Sequence, residues 1–252
     1  MSEYISYYNV SELLKKISNI YQIPYKELSY ALDLITKTTL NINYFNEDTE
    51  QAYYWAGFIA ADGCVYKNSL IINLAEKDKK HLEKFKNSIN YKKDLKKLCK
   101  KHSLKNPKWN DSIQYSLRFQ SQHIIESLKK FNIVPNKTLT YKFPKLLFNS
   151  DLVHHFIRGY IDGDGSFWVD KNRKRICFEL RGTKEFLSNV SLLFKDKLNL
   201  DINVTTPDST SKIRLYGINT VPKLVDYLYK NANIYLERKY NIATLSYNRS
   251  LL

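Results

Sequence analysis

Two aspartates and two lysines recur at one distance. Asp62 and Asp164 lie 102 residues apart, as do Lys137 and Lys239, so each aspartate precedes its lysine by 75 residues. The acids close matching phrases, W-A-G-F-I-A-A-D-G over 55–63 and I-R-G-Y-I-D-G-D-G over 157–165. A carboxylate and an ammonium at the same separation in both halves indicate a duplicated functional unit. Each phrase reads as a helix of small residues ending Asp-Gly and running into a strand. A carboxylate at a helix C-terminus opposes the dipole by roughly 0.3–1 kcal/mol, and two at the ends of adjacent parallel helices repel further. A divalent cation resolves that conflict. Hard oxygens from Asp62, Asp164 and the carbonyls of Ala61 and Gly163 suit Mg²⁺, with Mn²⁺ expected to substitute and water and phosphate completing the shell. The matching chemistry is attack of an activated water on a phosphodiester, with a second cation steadying the leaving oxygen. A lone Asp-Gly after a helix reads as a plain turn; a second copy with the same flanks reverses that reading.

The elements that must position these groups follow from periodicity. In the motif helices Tyr53, Gly57 and Ala61 share one face, as do His155, Gly159 and Gly163, and small residues in a stripe let two backbones approach closely. The two motif helices are therefore expected to pack on each other about a pseudo-twofold axis. In the first repeat a helix over 50–62 is followed by a hairpin, Cys64–Tyr66 with Leu70–Leu74 across Lys67-Asn68-Ser69. An amphipathic helix over 78–89 turns Leu82, Phe85 and Ile89 inward. A very basic stretch, 91–109, leads to an alternating strand over 113–119, a helix over 121–131 and the loop of Lys137. The second repeat keeps that order: a helix over 152–164, strands over 166–170 and 175–181, a helix over 183–198 capped by Thr183, a hairpin pairing 202–205 with 212–216, a helix over 221–229, and Lys239 in a loop or helix start. Each half reads α-β-β-α-β-β-α, with helices on one face of an antiparallel sheet and the other face free.

Ahead of the repeats, Val10, Leu13, Leu14, Ile17 and Ile20 recur at helical spacing with Ser11 as cap, and a second helix starts at Tyr25 after Ile23-Pro24. Two short helices with a tight break read either as a helix-turn-helix or as a helical extension packed on the rest. Residues 41–49 read as a polar connector. The expected domains are a helical extension over 1–48, a first repeat over 49–148 and a second over 149–252.

A chain of 252 residues, 43% hydrophobic, with only 7 glycines and 6 prolines, builds a regular core rather than a disordered segment. A net charge of +15 with 20 tyrosines asks for a polyanionic partner, nucleic acid before a membrane surface. No apolar run approaches about 18 residues. Cys64, Cys99 and Cys177 are far apart and in no CxxC pairing, which points to a reducing compartment without a disulfide framework or zinc site. The N-terminus has no apolar signal core, so the expected location is intracellular, in the cytoplasm or an organellar matrix.

The two phrases and their spacing resemble the paired motifs of the monomeric LAGLIDADG homing endonucleases, over about 53–245. That resemblance implies an α+β fold of two pseudo-symmetric αββαββα halves, a saddle of antiparallel sheets lying in the DNA major groove. It implies a monomer acting on double-stranded DNA without membrane or obligate protein partner, and Mg²⁺-dependent cleavage of a long asymmetric site to four-base 3′ overhangs, in the service of intron homing. The last acids of the motifs, Asp62 and Asp164, would bind the cations, and Lys137 and Lys239 would order water near the scissile phosphates. Two departures stand out: Ala60 replaces the first acid that Asp162 supplies in the second copy, and Arg158 replaces a small apolar residue and is expected to point away from the helix pair. Alternating strand residues should face the groove: Tyr66, Lys67, Asn68, Asn73, Gln114, Tyr115, Arg118 and Gln120 in the first half, and Trp168, Lys171, Arg173, Lys174, Arg175, Arg181, Lys212 and Arg214 in the second. Arg and Lys read guanine, Gln and Asn adenine. A non-cleaving binder on the same fold, an RNA maturase or a transcription regulator, is the alternative; retention of both acids and both lysines favours the nuclease. An intein is disfavoured, since residue 1 is no nucleophile and the C-terminus no His-Asn.

Overall fold

The computed structural model describes residues 8–29, 31, 40–100, 112–207 and 210–247. Two compact units make up the chain, Met1–Asn41 with Lys86–Lys93 and Ile42–Phe85 with Asp94–Leu252.

In the first unit α1 spans Tyr8–Tyr21, so Ser11 lies inside the helix rather than capping it. Leu14 and Ile17 are half-buried, whereas Leu13 and Ile20 of the same expected stripe are exposed. Ser18 donates to the Ile23 carbonyl at 2.7 Å across the break, after which 25–29 are again helical. Most of the remainder of the expected second helix lies outside the described residues.

The second unit carries both repeats apart from Lys86–Lys93. Helix α2, Glu50–Asp62, starts where the Thr49 hydroxyl accepts from the Ala52 amide at 3.2 Å. The first sheet holds β1 (Gly63–Tyr66), β2 (Ser69–Ala75), β3 (Lys96–Lys100) and β4 (Ser112–Gln120), all antiparallel in the order β1-β2-β4-β3. The β1–β2 turn is tight because Lys67 takes a left-handed φ of 51°. Part of the basic stretch is thus a strand; residues 101–111, with Trp109, lie outside the described residues. Helix α3 spans Lys79–Ser88, with Leu82 and Phe85 fully buried. Helix α4, Gln122–Leu128, is capped by Ser121 and continues as a 3-10 turn through Phe131. The polar reading of 41–49 overlooked Tyr44 and Phe45, which are buried in a 3-10 turn with both rings against Phe85.

The second repeat begins with α5, Val153–Asp164, and continues with β5 (Gly165–Asp170) and β6 (Arg175–Gly182). Helix α6, Lys184–Leu198, is capped by Thr183 as expected, and β7 (Ser211–Tyr216) pairs with β6. Among the described residues the expected hairpin of 202–205 with 212–216 shows one bridge, Thr205 with Lys212, and the sheet holds three strands, β5-β6-β7. Helices α7 (Thr220–Tyr229) and α8 (Glu237–Thr244) complete the repeat.

In both sheets alternate residues are buried against helices: Leu70, Ile72, Leu117 and Phe119 in the first, Phe167, Phe178, Leu180 and Ile213 in the second. At about 25 cal/mol per Å² of apolar surface, these faces and the helices over them dominate folding. The opposite faces keep the polar residues. The architecture is α+β with two antiparallel sheets, as expected.

Candidate functional site

The motif helices α2 and α5 meet through glycines at pseudo-symmetric places. A Cβ on Gly57 would lie 1.9 Å from the Phe156 carbonyl oxygen, and one on Gly159 would lie 1.9 Å from that of Tyr54. A Cβ on Gly163 would lie 2.4 Å from that of Ala61. Gly57 lies between Phe156 and Tyr160, Gly159 between Tyr54 and Phe58, and further toward both C-termini Gly163 meets Ala61, so the helices are parallel and their acidic ends meet.

At that end the structure gathers Asp62, Asp164, Lys137 and Lys239. Both aspartates reach solvent, yet the protein packed around their carboxylates withholds enough water to raise both pKa values. Burial, then the negative charge of Asp62, pushes Asp164 up to about 6 against the pull of Lys239 and Lys137. The lysines are buried and anchored on helix-end carbonyls: Lys137 Nζ donates to Gly63 O at 2.8 Å, and Lys239 Nζ to Ile161 O at 3.0 Å and Gly163 O at 2.8 Å. Of the two placements expected for Lys239, the structure has the helix start, in the first turn of α8, Glu237–Thr244. Burial lowers both lysine pKa values, that of Lys239 to about 8 with Asp162 opposing the shift. No group of three or more His, Cys, Asp or Glu side chains gathers among the described residues. A cation here would therefore draw on two carboxylates, backbone carbonyls and solvent, a donor set that fits a hard ion keeping much of its water. The Gly163 carbonyl already accepts one ammonium hydrogen and has a second lone pair to offer.

Behind this end lie residues whose roles the sequence did not reveal. Asp162 is buried and accepts from Tyr54 Oη at 2.8 Å, Tyr229 Oη at 2.9 Å and the Leu236 amide at 2.7 Å. It fixes the segment before α8, and with it Lys239. Arg238 forks onto Asp78, its Nε at 2.8 Å from Oδ1 and its Nη2 at 2.9 Å from Oδ2, tying α8 to the first repeat. Arg158 does not point away. It is fully buried, donating from Nε to Ile234 O at 2.9 Å, from Nη1 to Leu228 O at 2.8 Å and from Nη2 to Glu50 Oε1 at 2.6 Å, with its guanidinium 5.4 Å from the Tyr54 ring centre. An arginine among apolar neighbours carries no sequence signal for partners 70–108 residues away.

Strand register separates the expected contact residues by face. Ile71, Asn73, Gln114, Arg118 and Gln120 share the face away from the helices with Tyr66, and Lys67 and Asn68 sit exposed in the turn beside it. Gln114 is half-buried there. Tyr115 is the exception: it pairs with Leu74 and Lys97 on the helix side, with Lys79 Nζ 4.8 Å from its ring centre. In the second sheet Trp168, Arg175, Arg181, Lys212 and Arg214 share the outer face, and Lys171, Arg173 and Lys174 occupy the exposed turn between β5 and β6. Two acids and a ring on that face were missed. Asp170 pairs with Arg173 at 3.3 Å and Arg175 at 3.4 Å, Glu179 pairs with Arg181 and Arg214, and Tyr216 lies 5.0 Å beneath the Arg175 guanidinium. Their parity along β5, β6 and β7 was the signal. Cys64, Cys99 and Cys177 are all free thiols. Among the described residues no helix is long and apolar enough to cross a membrane.

No family model matches the sequence. Among curated proteins the chain is 26% identical over 195 residues to the probable translation initiation factor IF-2 of Methanocaldococcus jannaschii, a match taking in 74% of this chain but only 15% of that protein. Solved structures are similar over most of the fold. The homing endonuclease I-WcaI bound to its DNA recognition sequence superposes with a TM-score of 0.55 at 18% identity, over 79% of this chain and 90% of that one. The LAGLIDADG meganuclease I-AabMI bound to uncleaved DNA gives 0.51 at 18% identity over the same shares. Full-length DUF199/WhiA from Thermatoga maritima gives 0.50 at 17% identity, over 81% of this chain and 64% of that one. The motif helices, their acidic ends and the two sheets thus define a LAGLIDADG-fold protein.

Proposed function

We propose that this protein is a site-specific endonuclease of double-stranded DNA that requires a divalent cation. The observation that carries the reading is the meeting of Asp62 and Asp164 at the ends of two parallel helices, with one lysine from each half anchored beside them. Asp62 and Asp164, with the carbonyl oxygens of Ala61 and Gly163, would hold Mg²⁺ or Mn²⁺. When bound, such a cation supplies charge neutralisation at the phosphate and a more acidic water. The chain's own groups do the rest. Lys137 and Lys239 fix the helix-end carbonyls and turn positive charge toward a polyanion. With a pKa near 8, Lys239 can hold or release a proton in the neighbouring water network near neutral pH. The outer faces of both sheets present the Arg, Lys, Gln, Asn and aromatic side chains that base edges and phosphates call for, on a chain of net charge +15.

Solved structures of similar fold that are bound to DNA support double-stranded DNA as the substrate; a long site contacted by both sheets of one monomer and cut to four-base 3′ overhangs is our proposal from the paired motifs. The fold is shared with proteins named as homing endonucleases and with DUF199/WhiA; a non-cleaving binder is the second reading. Incubation with a randomised duplex library and Mg²⁺, followed by sequencing of new ends, separates the two. A single long consensus with four-base 3′ overhangs is expected. Duplexes retained but uncut in both Mg²⁺ and Mn²⁺ would establish the binder.

A further inference from the structure

The carboxylate of Glu179 has a role that cleavage chemistry does not require. Glu179 lies on β6, the central strand of the second sheet, on the face away from the helices. Its neighbours across the strands are Ser166 on β5 and Arg214 on β7, and Arg181 follows two residues along the same strand. The Glu179 side chain is 10% exposed, whereas those of Arg181 and Arg214 are 57% and 43% exposed. The acid therefore sits at the floor of the face and both guanidiniums rise above it. Arg181 donates through Nε to Oε1 at 2.8 Å, and Arg214 donates through Nε to Oε2. One carboxylate thus divides its two oxygens between two arginines. A guanidinium held at Nε still has terminal amino groups for a second planar partner, the arrangement that bidentate reading of guanine O6 and N7 uses.

Sheet formation does not demand this acid. The β1–β2 register pairs Gly63 with Ile72 as β5–β6 pairs Gly165 with Leu180, so the first-repeat counterpart of Glu179 is Ile71, which lies opposite Arg118 as Glu179 lies opposite Arg214. The duplicated frame accepts an isoleucine there. Burial works against the Glu179 charge, yet Arg214 and Arg181 hold its pKa below the usual carboxylate value, so the cluster is ionised at neutral pH.

We propose that Glu179 is a positioning residue that sets base specificity over one patch of the second half, by holding Arg181 and Arg214 in fixed orientations for adjacent base pairs. This rests on the DNA-binding reading above. Without the acid, two flexible cations would settle on phosphates, whose recognition carries no sequence information. Affinity for any duplex would rise while discrimination fell.

The test compares binding selections of the full chain and its Glu179→Gln variant on a randomised duplex DNA library in EDTA, where cleavage does not intervene. Glu179→Gln is expected to lose about tenfold discrimination at two or three adjacent base pairs and to keep the rest of the consensus. Its unselected-duplex affinity should rise, with the slope of log K against log salt steeper by about one. An Arg181→Met, Arg214→Met double variant should relax the same base pairs, and adding Glu179→Gln to it should change nothing more, because Glu179 acts through the arginines. Glu179→Ile, which copies the first sheet, should relax the same patch and guards against a poorly folding Gln variant. An unchanged profile in folded Glu179→Gln and Glu179→Ile, or loss spread evenly over the whole consensus, overturns the inference alone. A wild type that selects no duplex sequence at all overturns the DNA reading and this inference with it.

Discussion

At the scale of single residues, the proposed chemistry turns on two carboxylates whose burial opposes their charge. Asp164 has a folded pKa near 6, raised above the ordinary 3.8. Stability linked to a raised carboxylate is fully present below the unfolded value and is lost as pH rises through the folded one. Metal-free protein should therefore lose stability relative to Asp164→Asn between about pH 4 and pH 7, with Asp164→Asn melting higher at pH 7.5. Adding Mg²⁺ at that pH should raise the melting temperature of the wild type more than that of the variant. An Asp164→Asn protein that melts below the metal-free wild type at pH 7.5 would contradict the raised pKa. Either Asp62→Asn or Asp164→Asn should abolish double-strand cleavage while a gel shift with the selected duplex retains most of the affinity; cleavage by either variant would sink the proposed metal role. The lysines should differ. Lys239 holds two carbonyls and Lys137 one. Single-turnover cleavage should fall in Lys239→Met by on the order of 10²-fold, and by less in Lys137→Met; equal losses would mean that charge alone, and not anchoring, matters.

At the scale of elements, the motif helices serve both core and site. Their closest approach is backbone against backbone at Gly57 and Gly159, where no flexible side-chain end can yield. Gly57→Ala and Gly159→Ala should each cost about 3 kcal/mol or more in urea unfolding, at or beyond the upper end of ordinary overpacking. A loss under about 1 kcal/mol would show that the helices can separate without penalty. Arg158 clamps the same pair from the other end, joining Glu50 of α2 to the carbonyls of Leu228 and Ile234. Loss of the guanidinium strips a donor from the carbonyls of Leu228 and Ile234, while half-buried Glu50 keeps its hydrogen bonds from Asn233, so Arg158→Met should destabilise by about 1–3 kcal/mol. Glu50→Gln removes the countercharge of the fully buried guanidinium and turns one acceptor into a donor, so it should cost at least as much in the same measurement.

At the scale of the whole molecule, duplication produced two halves that share a frame and differ in their faces. The first sheet carries four strands and the second three with a bridge, and ion pairs organise the second face around Asp170 and Glu179. A chain of charge +15 that neutralises phosphates should bind duplex DNA with a steep salt dependence, about 0.9 in log–log slope per phosphate contacted. A binding constant nearly flat between about 50 and 200 mM salt would argue against a phosphate-tracking surface.

Much of this was legible in the chain itself, because it depends on local spacing. The duplicated Asp-Gly phrases located α2 and α5, Thr183 caps the helix it was expected to cap, and period-2 alternation put most of the expected strand residues on the outer faces. Tyr115 escaped because one residue of register decides its face, and its partners Leu74 and Lys97 belong to other strands. Ser11 was misplaced because a serine beside a helical stripe caps or continues a helix alike. The burial of Arg158, the pinning of Arg181 and Arg214 by Glu179, and the anchoring of Lys239 on the second motif helix were decided by tertiary structure alone. Each is a contact between groups on different elements, and a charge's energy depends on what surrounds it in space rather than on what flanks it in the chain.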